Sequence, residues 1–275
     1  MRDVNLEATA EAAASGDVHA ADTLVRAVSD DVYRLALRML WHPEDAEDAT
    51  QEILVKMLTH LSTFRGESKL RTWLFRIAAN HLLTTRKSRA EKQALSFDFM
   101  AADLAQGLDE RLPASAIDAD QGVLAEEIKI GCTQAMLLCL DRDHRLAYVL
   151  GDVFEIESDV AAAIAGVEPA AFRKRLQRAR ERIRTFMNET CGLVNAKRPC
   201  RCERRIGIAT MSGRVDPLNL LFVDARSRAG VAEMEQLHDE AARVFREQRL
   251  KAAPDVLVSR LTALVRGGRY PEVLG

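Results

Sequence analysis

The segment from residue 158 to residue 183 reads SDVAAAIAGVEPAAFRKRLQRARERI and has the spacing of two helices joined by a tight turn. Ala162 is the small residue that such a pair needs where its helices touch, and Gly166 suits a turn position with positive φ. Phe172 is placed to anchor the second helix. The segment therefore predicts a helix-turn-helix, which requires helical neighbours to pack on.

Capping residues in the same segment agree with two helices. Ser158 or Asp159 is expected to cap the first helix, because short side-chain oxygens accept hydrogen bonds from the unpaired N–H groups of a first turn. Glu168 followed by Pro169 fits the N-cap and first position of the second helix, since proline has no N–H to leave unpaired. The second helix is thus expected to begin at Pro169.

The predicted second helix is strongly basic on its outer side. Between residues 173 and 184 there are seven Lys or Arg residues and one acid. Such a helix can enter the major groove of DNA, where arginine forks contact phosphates and guanine edges. Charge alone would favour a solvated basic helix packed on its neighbour. The turn pattern favours the DNA-binding interpretation.

Further apolar stripes at helical spacing predict a compact bundle before about residue 90. No alternating strand pattern of convincing length is found, and the 275 residues include only 14 glycines and 7 prolines. We therefore expect an all-α fold with two small helical domains. The stripes are Leu24, Val25, Val28, Val32, Leu35, Ala36 and Met39, then Ile53, Leu54, Met57, Leu58 and Leu61, then Trp73, Leu74, Ile77, Ala78, Leu82 and Leu83.

Composition changes along the chain predict four segments. The linker is acidic and weakly periodic, and it contains Pro113. The C-terminal extension starts with a Cys and Arg cluster and continues with two helical patterns. The segments are a first helical domain at 18–90, a linker at 91–122, a second helical domain at 123–190 and an extension at 191–275, with the helical patterns at about 231–251 and 255–265.

Several classes of protein are excluded by what the sequence lacks. No apolar run approaches the roughly 18 residues that span a bilayer, and the N-terminus has no signal-peptide core. A cytoplasmic protein without membrane insertion is expected. The sequence has no P-loop, nucleophile elbow or H-E-x-x-H motif, and its six histidines are scattered. We expect neither enzymatic activity nor a required cofactor.

Two other segments, both before residue 90, carry further motifs. HPEDAEDATQEILVKML has five acids and no base between residues 44 and 52, and FRGESKLRTWLFRIAANHLLTTRKSR follows it. Together with the helix-turn-helix, these segments resemble the group IV, or extracytoplasmic-function (ECF), sigma factors of bacterial RNA polymerase. DAEDATQEI is similar to that family's region 2.2, RTWLFRIAANHLLTTRKS to regions 2.3 and 2.4, and AAAIAGVEPAAFRKRLQRAR to region 4.2. The resemblance covers roughly residues 20 to 190.

The resemblance implies a promoter-specificity subunit that binds core polymerase and melts a promoter. An anti-sigma factor is a further partner that it allows. By matching positions, it implies three groups of contact residues. These are Asp45, Glu47, Asp48, Gln51 and Glu52 for core polymerase, Phe64, Arg65 and Asn80 for unstacked bases of the −10 element, and Arg173, Lys174, Gln177 and Arg178 for the −35 element.

A regulator that uses the helix-turn-helix without polymerase, with a thiol- or metal-sensing tail, is the alternative. The acidic segment and Asn80 favour the sigma factor, because a simple repressor needs neither.

Three cysteines in the extension form a C-x8-C-x-C pattern. Cys191, Cys200 and Cys202 could together bind a soft or borderline ion such as zinc or copper(I). Flanking arginines are expected to favour their thiolate forms. Passive structural cysteines and a DNA contact by the flanking bases remain open alternatives.

Overall fold

The computed structural model describes residues 5–86, 90–91, 95–108, 120–223, 241–246, 248 and 250–267. Within these ranges the chain is helical and has no β-strand, apart from one isolated bridge between Cys191 and Cys200. The prediction of an all-α fold is confirmed. None of the described helices is both long and apolar enough to cross a membrane.

The described α-helices are numbered here in chain order. They are α1 (Leu6–Ala14), α2 (Val18–Leu40), α3 (Pro43–Thr59), α4 (Leu70–Thr84), α5 (Phe97–Leu104), α6 (Gln121–Leu138), α7 (Arg142–Tyr148), α8 (Ser158–Ala165), α9 (Pro169–Thr190), α10 (Ile206–Met211), α11 (Ala241–Arg246) and α12 (Asp255–Arg266). A π-helix continues α7 over Val149–Val153.

Helix α2 lies at the centre of the first of two compact units. This unit takes the described parts of 1–90, 157–172 and 252–275. Helices α1, α3, α4 and α12 all contact α2. Most residues of the three predicted apolar stripes are buried here, whereas Trp73, Ile77 and Leu83 are only half-buried. Each buried Leu, Ile, Val or Met contributes about 1.5–3 kcal/mol, so the stripes account for the assembly of this bundle.

The second unit contains α5, α6, α7, most of α9, α10 and α11, from the described parts of 91–156 and 173–251. Part of the C-terminal extension packs on α6 here, through the buried Leu124, Ile206, Ala209 and Val215. The segment predicted as a linker includes α5, where Met100 is buried. Because the segment is acidic and only weakly periodic, its sequence did not predict this short helix. The functional domain limits remain predictions.

A buried carboxylate fixes the extension to α6. Glu127 accepts hydrogen bonds from the backbone N–H groups of Leu221, Phe222 and Val223, at N···O distances of 2.7 to 3.1 Å. Burial raises the pKa of Glu127, while these N–H groups act in the opposite direction. The carboxylate thus satisfies three backbone donors that the fold would otherwise bury unpaired.

Candidate nucleic-acid interface

The turn of the helix-turn-helix has the predicted geometry. Helix α8 ends at Gly166, whose φ is +66° in the left-handed region. The N–H of Val167 donates to the carbonyl of Ala162 at 3.1 Å. Ala162 and Phe172 are both buried, at 1% and 0% exposure. The three residues that define the motif therefore hold the positions predicted for them.

The helix ends agree only in part with the predicted caps. Pro169 is the first residue of α9, as expected. At the start of α8, however, the N-cap is Glu157, and its side chain makes no capping hydrogen bond. The expectation that Ser158 or Asp159 caps this helix is wrong, because helical geometry already begins at Ser158.

Helix α9 separates an apolar stripe from a polar face. Its stripe, Phe172, Leu176, Ala179 and Ile183, is buried. All four residues predicted for the −35 element are exposed on the same helix: Arg173, Lys174, Gln177 and Arg178. This face can present guanidinium, ammonium and amide donors to a DNA groove.

Several other arginines of α9 have partners within the protein. Both oxygens of the buried Asp152 carboxylate accept from Arg180, at distances from 2.5 to 3.0 Å. Arg175 pairs with Asp143 at 3.0 Å, and Arg182 lies over an aromatic ring. The hydrogen bond to Asp152 also raises the pKa of Arg180. These bases stabilise the fold, so the DNA-facing charge of α9 is smaller than its composition suggests.

The predicted −10 contacts involve one side of α4. Asn80 is exposed, and Trp73 lies two turns earlier on the same side of the helix. The ring of Phe64 packs on Trp73 at 5.5 Å between centroids, tilted by 54°. Arg65 is exposed beside Gly66, which has a φ of +72°. Phe64 is thus held by an aromatic neighbour, and Trp73 is half-buried rather than a full core residue.

A buried histidine ties α4 to α3 directly after Asn80. The Nδ1 atom of His81 lies 2.9 Å from the Lys56 ammonium, and its Nε2 lies 3.8 Å from a Glu52 oxygen. Burial and Lys56 lower the pKa of His81, so Nδ1 accepts a hydrogen bond from Lys56 as a neutral imidazole. This contact fixes the helix that presents Asn80.

The predicted polymerase contacts lie along the acidic side of α3. Asp48 and Glu52 are exposed one turn apart, whereas Asp45, Glu47 and Gln51 are half-buried. Burial raises the pKa of Glu47, and the neighbouring Asp48 and Glu44 add to this. A dense row of carboxylates like this one favours a basic partner.

The three cysteines predicted as metal ligands line one small cavity, together with a fourth, Cys132, from α6. The cavity has a volume of about 40 Å³ and is lined by Cys132, Cys191, Cys200 and Cys202. The N–H of Gly192 donates to the Cys200 carbonyl at 3.0 Å. A Cβ at Gly192 would clash with that carbonyl, so glycine is required for this close approach.

The thiols in this cavity are held in their neutral form. Burial raises the pKa of all four, that of Cys200 to about 11. Arg201, Arg204 and Arg205 act in the opposite direction on Cys200, but burial outweighs them. The flanking arginines thus act on Cys200 in the expected direction, but burial has the larger effect on its pKa. Among the residues that the structure describes, no group of three or more His, Cys, Asp or Glu is arranged to hold a metal ion.

Comparison with known proteins agrees with this geometry. Residues 24–91 match the family model for Sigma-70 region 2. The chain is 30% identical over 179 residues to the ECF RNA polymerase sigma factor SigW of Bacillus subtilis (strain 168), covering 63% of this chain and 92% of SigW. It is 31% identical over 169 residues to the ECF RNA polymerase sigma factor SigE of Mycolicibacterium smegmatis, covering 60% of this chain and 61% of SigE.

A solved structure of CnrH in complex with the cytosolic domain of CnrY gives a TM-score of 0.47 at 22% identity, covering 66% of this chain and 95% of that chain.

The helical architecture, the helix-turn-helix and the region 2 match define a protein of the sigma-70 type. With nearly all of SigW matched, the chain belongs to the ECF RNA polymerase sigma factors. Members of this family are not enzymes.

Proposed function

We propose that the chain binds core RNA polymerase through the acidic side of α3 and directs it to promoters through α4 and α9. The observation that carries this proposal is the exposed polar face of α9, which follows a left-handed glycine turn of the predicted kind. Promoter DNA and core polymerase are cytoplasmic in bacteria, so we also propose that the protein acts there.

The three surfaces suit three different tasks. Carboxylates on α3 complement a basic protein surface and would steer it into place. Arginine side chains on α9 can read duplex DNA in the major groove. An exposed amide at Asn80 suits a base that has left the stack, because the edge of such a base can be hydrogen-bonded. The aromatic pair of Phe64 and Trp73, the latter two turns earlier on the same side of α4, offers a surface on which a base face can stack.

Dependence on polymerase separates this proposal from the alternative of a free-standing regulator. Binding of a promoter fragment is measured by electrophoretic mobility with and without core polymerase. We expect sequence-specific binding only when core is present. Tight, specific binding by the chain alone, unchanged by core, would favour the regulator instead.

The upstream contact makes a first prediction. Arg173→Ala and Arg178→Ala should each weaken holoenzyme binding at the −35 element by about 1–3 kcal/mol, if they make bidentate base contacts. Arg180→Ala is the matched comparison on the same helix. It leaves the buried Asp152 without its arginine, so we expect a lower melting temperature without relaxed sequence preference. If Arg180→Ala relaxes specificity and the other two variants do not, the assignment of the α9 face is wrong.

We also propose that the cysteine cavity takes a soft or borderline ion such as zinc or copper(I), with Cys132 joining Cys191, Cys200 and Cys202. Four thiols from three separate parts of the chain line this cavity, and four thiolates are a common zinc ligand set. Binding would require the side chains to turn towards a shared ion and to lose their protons. Affinity should therefore fall as the pH is lowered, because protons compete for the same sulfurs.

Metal analysis of anaerobically purified protein tests this second proposal. We expect roughly one ion per chain, lost in the Cys200→Ser, Cys202→Ser variant. Cys139→Ser is the matched control, because Cys139 is also buried but does not line the cavity. Metal-free native protein, with transcription identical in all variants, would leave the cysteines as passive residues.

A further inference from the structure

Helix α12, near the end of the C-terminal extension, contacts both α2 and α3. Leu257, Leu261 and Val265 follow one another at helical spacing and are buried, with exposures of 4%, 0% and 0%. Val256 on the same helix is 61% exposed. The helix therefore has one apolar face and uses it to pack in the region 2 bundle.

Polar contacts also hold this helix and the residues before it against α2. Arg266 pairs with the buried Asp22 at 2.9 Å. The N–H of Ala253 donates to a carboxylate oxygen of Asp30, also at 2.9 Å. These contacts fix both ends of α12 relative to α2, so its docking is specific in register.

The docked helix brings a base to the acidic side of α3. Arg260 is exposed on α12, and its charge opposes the rise in the pKa of Glu47. Glu47 is one of the carboxylates assigned above to polymerase binding. An arginine of the chain itself thus already lies near this carboxylate, where the basic surface of a partner would be expected.

The relatives share only part of this chain. The alignment with SigW takes in 92% of SigW but only 63% of this chain. Helix α12, from the C-terminal extension, nevertheless packs on the helices that match Sigma-70 region 2.

We propose that α12 is an internal ligand of the polymerase-binding surface, which core polymerase must displace from the edge of α3. This inference rests on the proposed function, because it takes α3 as the polymerase contact. If the polymerase-binding surface is uncovered in only a fraction of the molecules, the apparent affinity for core polymerase is the intrinsic affinity multiplied by that fraction. Release of α12 would then activate the protein without any change in α3 itself.

Charge reversal at Arg260 tests the proposal without touching the apolar face. Arg260→Glu places like charges near Glu47 and should loosen α12. We expect its affinity for core polymerase to rise several-fold, whereas the control Ser259→Glu, at an exposed neighbour, should stay within about twofold. Unchanged or weaker binding by Arg260→Glu, with Ser259→Glu behaving alike, overturns the inference.

A stronger variant removes the packing itself. Leu261→Asp should raise affinity for core by roughly tenfold or more, while Val256→Asp on the exposed side of α12 should not. Should Leu261→Asp fail to fold, hydrogen exchange on the native chain replaces it. The amides of α12 are expected to lose protection when core is added, and full protection in the bound complex would contradict the displacement.

These outcomes separate the inference from the function on which it rests. If core polymerase binds the native chain and α12 stays docked, only the inference fails. If neither the native chain nor any variant binds core, the proposed function fails as well.

Discussion

Replacing Asp48 with Lys and Gln51 with Ala is expected to weaken binding to core polymerase by about 2–5 kcal/mol, the range for losing a close charged contact at an interface. Asp48 is exposed at the middle of the acidic row, and Gln51 lies one turn further on. The lysine would both remove an attraction and repel a basic partner. Affinity for purified core, measured by fluorescence anisotropy, gives the effect directly.

A charge reversal elsewhere controls for the change in net charge. Glu11→Lys alters an exposed acid on a different helix, α1, and should leave affinity within about twofold because an exposed charge outside the interface is screened by salt. Equal losses in both variants would mean that only overall charge matters. No loss in the double variant would remove α3 from the polymerase interface.

Asn80→Ala is expected to impair promoter opening by at least tenfold while binding of duplex promoter by holoenzyme stays nearly intact. The amide of Asn80 is exposed on α4 and can pair with the edge of a flipped base. The Watson–Crick edge of a base in the duplex is already paired, so the loss should appear only when the strands separate. Permanganate reactivity of unpaired thymines, alongside footprints at low salt, distinguishes the two steps.

Arg178→Ala provides the reciprocal comparison for this experiment. It should reduce duplex binding at the upstream element, and opening should recover once binding is saturated. Equal loss of duplex binding in Asn80→Ala and Arg178→Ala would contradict a division of labour between α4 and α9.

Local rules were enough to predict the helix-turn-helix and the first bundle. Gly166 and Pro169 act through their own backbone geometry, and the apolar stripes follow from a period that any helix imposes. These features depend on residues close together in sequence. They could therefore be located before the fold was known.

Features that depend on distant residues could not be located in this way. Cys132 shares its cavity with Cys191, which lies 59 positions later, and no spacing rule connects the two. Arg180 was indistinguishable by sequence from its neighbours, yet Asp152 binds it within the fold. The sequence does not distinguish Glu127 from the other acids, because its role depends on backbone N–H groups of the extension that lie far along the chain.

The docking of α12 also depends on residues that are distant in the sequence. Its amphipathic pattern predicted a helix, and its bounds, Asp255–Arg266, agree closely with the expected 255–265. The pattern did not identify the surface that it would cover. The other helical pattern, at about 231–251, lies largely outside the described residues, which include α11.

Reconstituted run-off transcription tests the central claim most directly. Core polymerase is combined with the purified chain on a library of promoter fragments, and the transcripts are sequenced. We expect transcripts from a defined subset of fragments that share upstream and downstream elements, and none from core polymerase alone. Transcription that does not depend on the added chain, or that starts without sequence preference, would contradict its role as a promoter-specificity subunit.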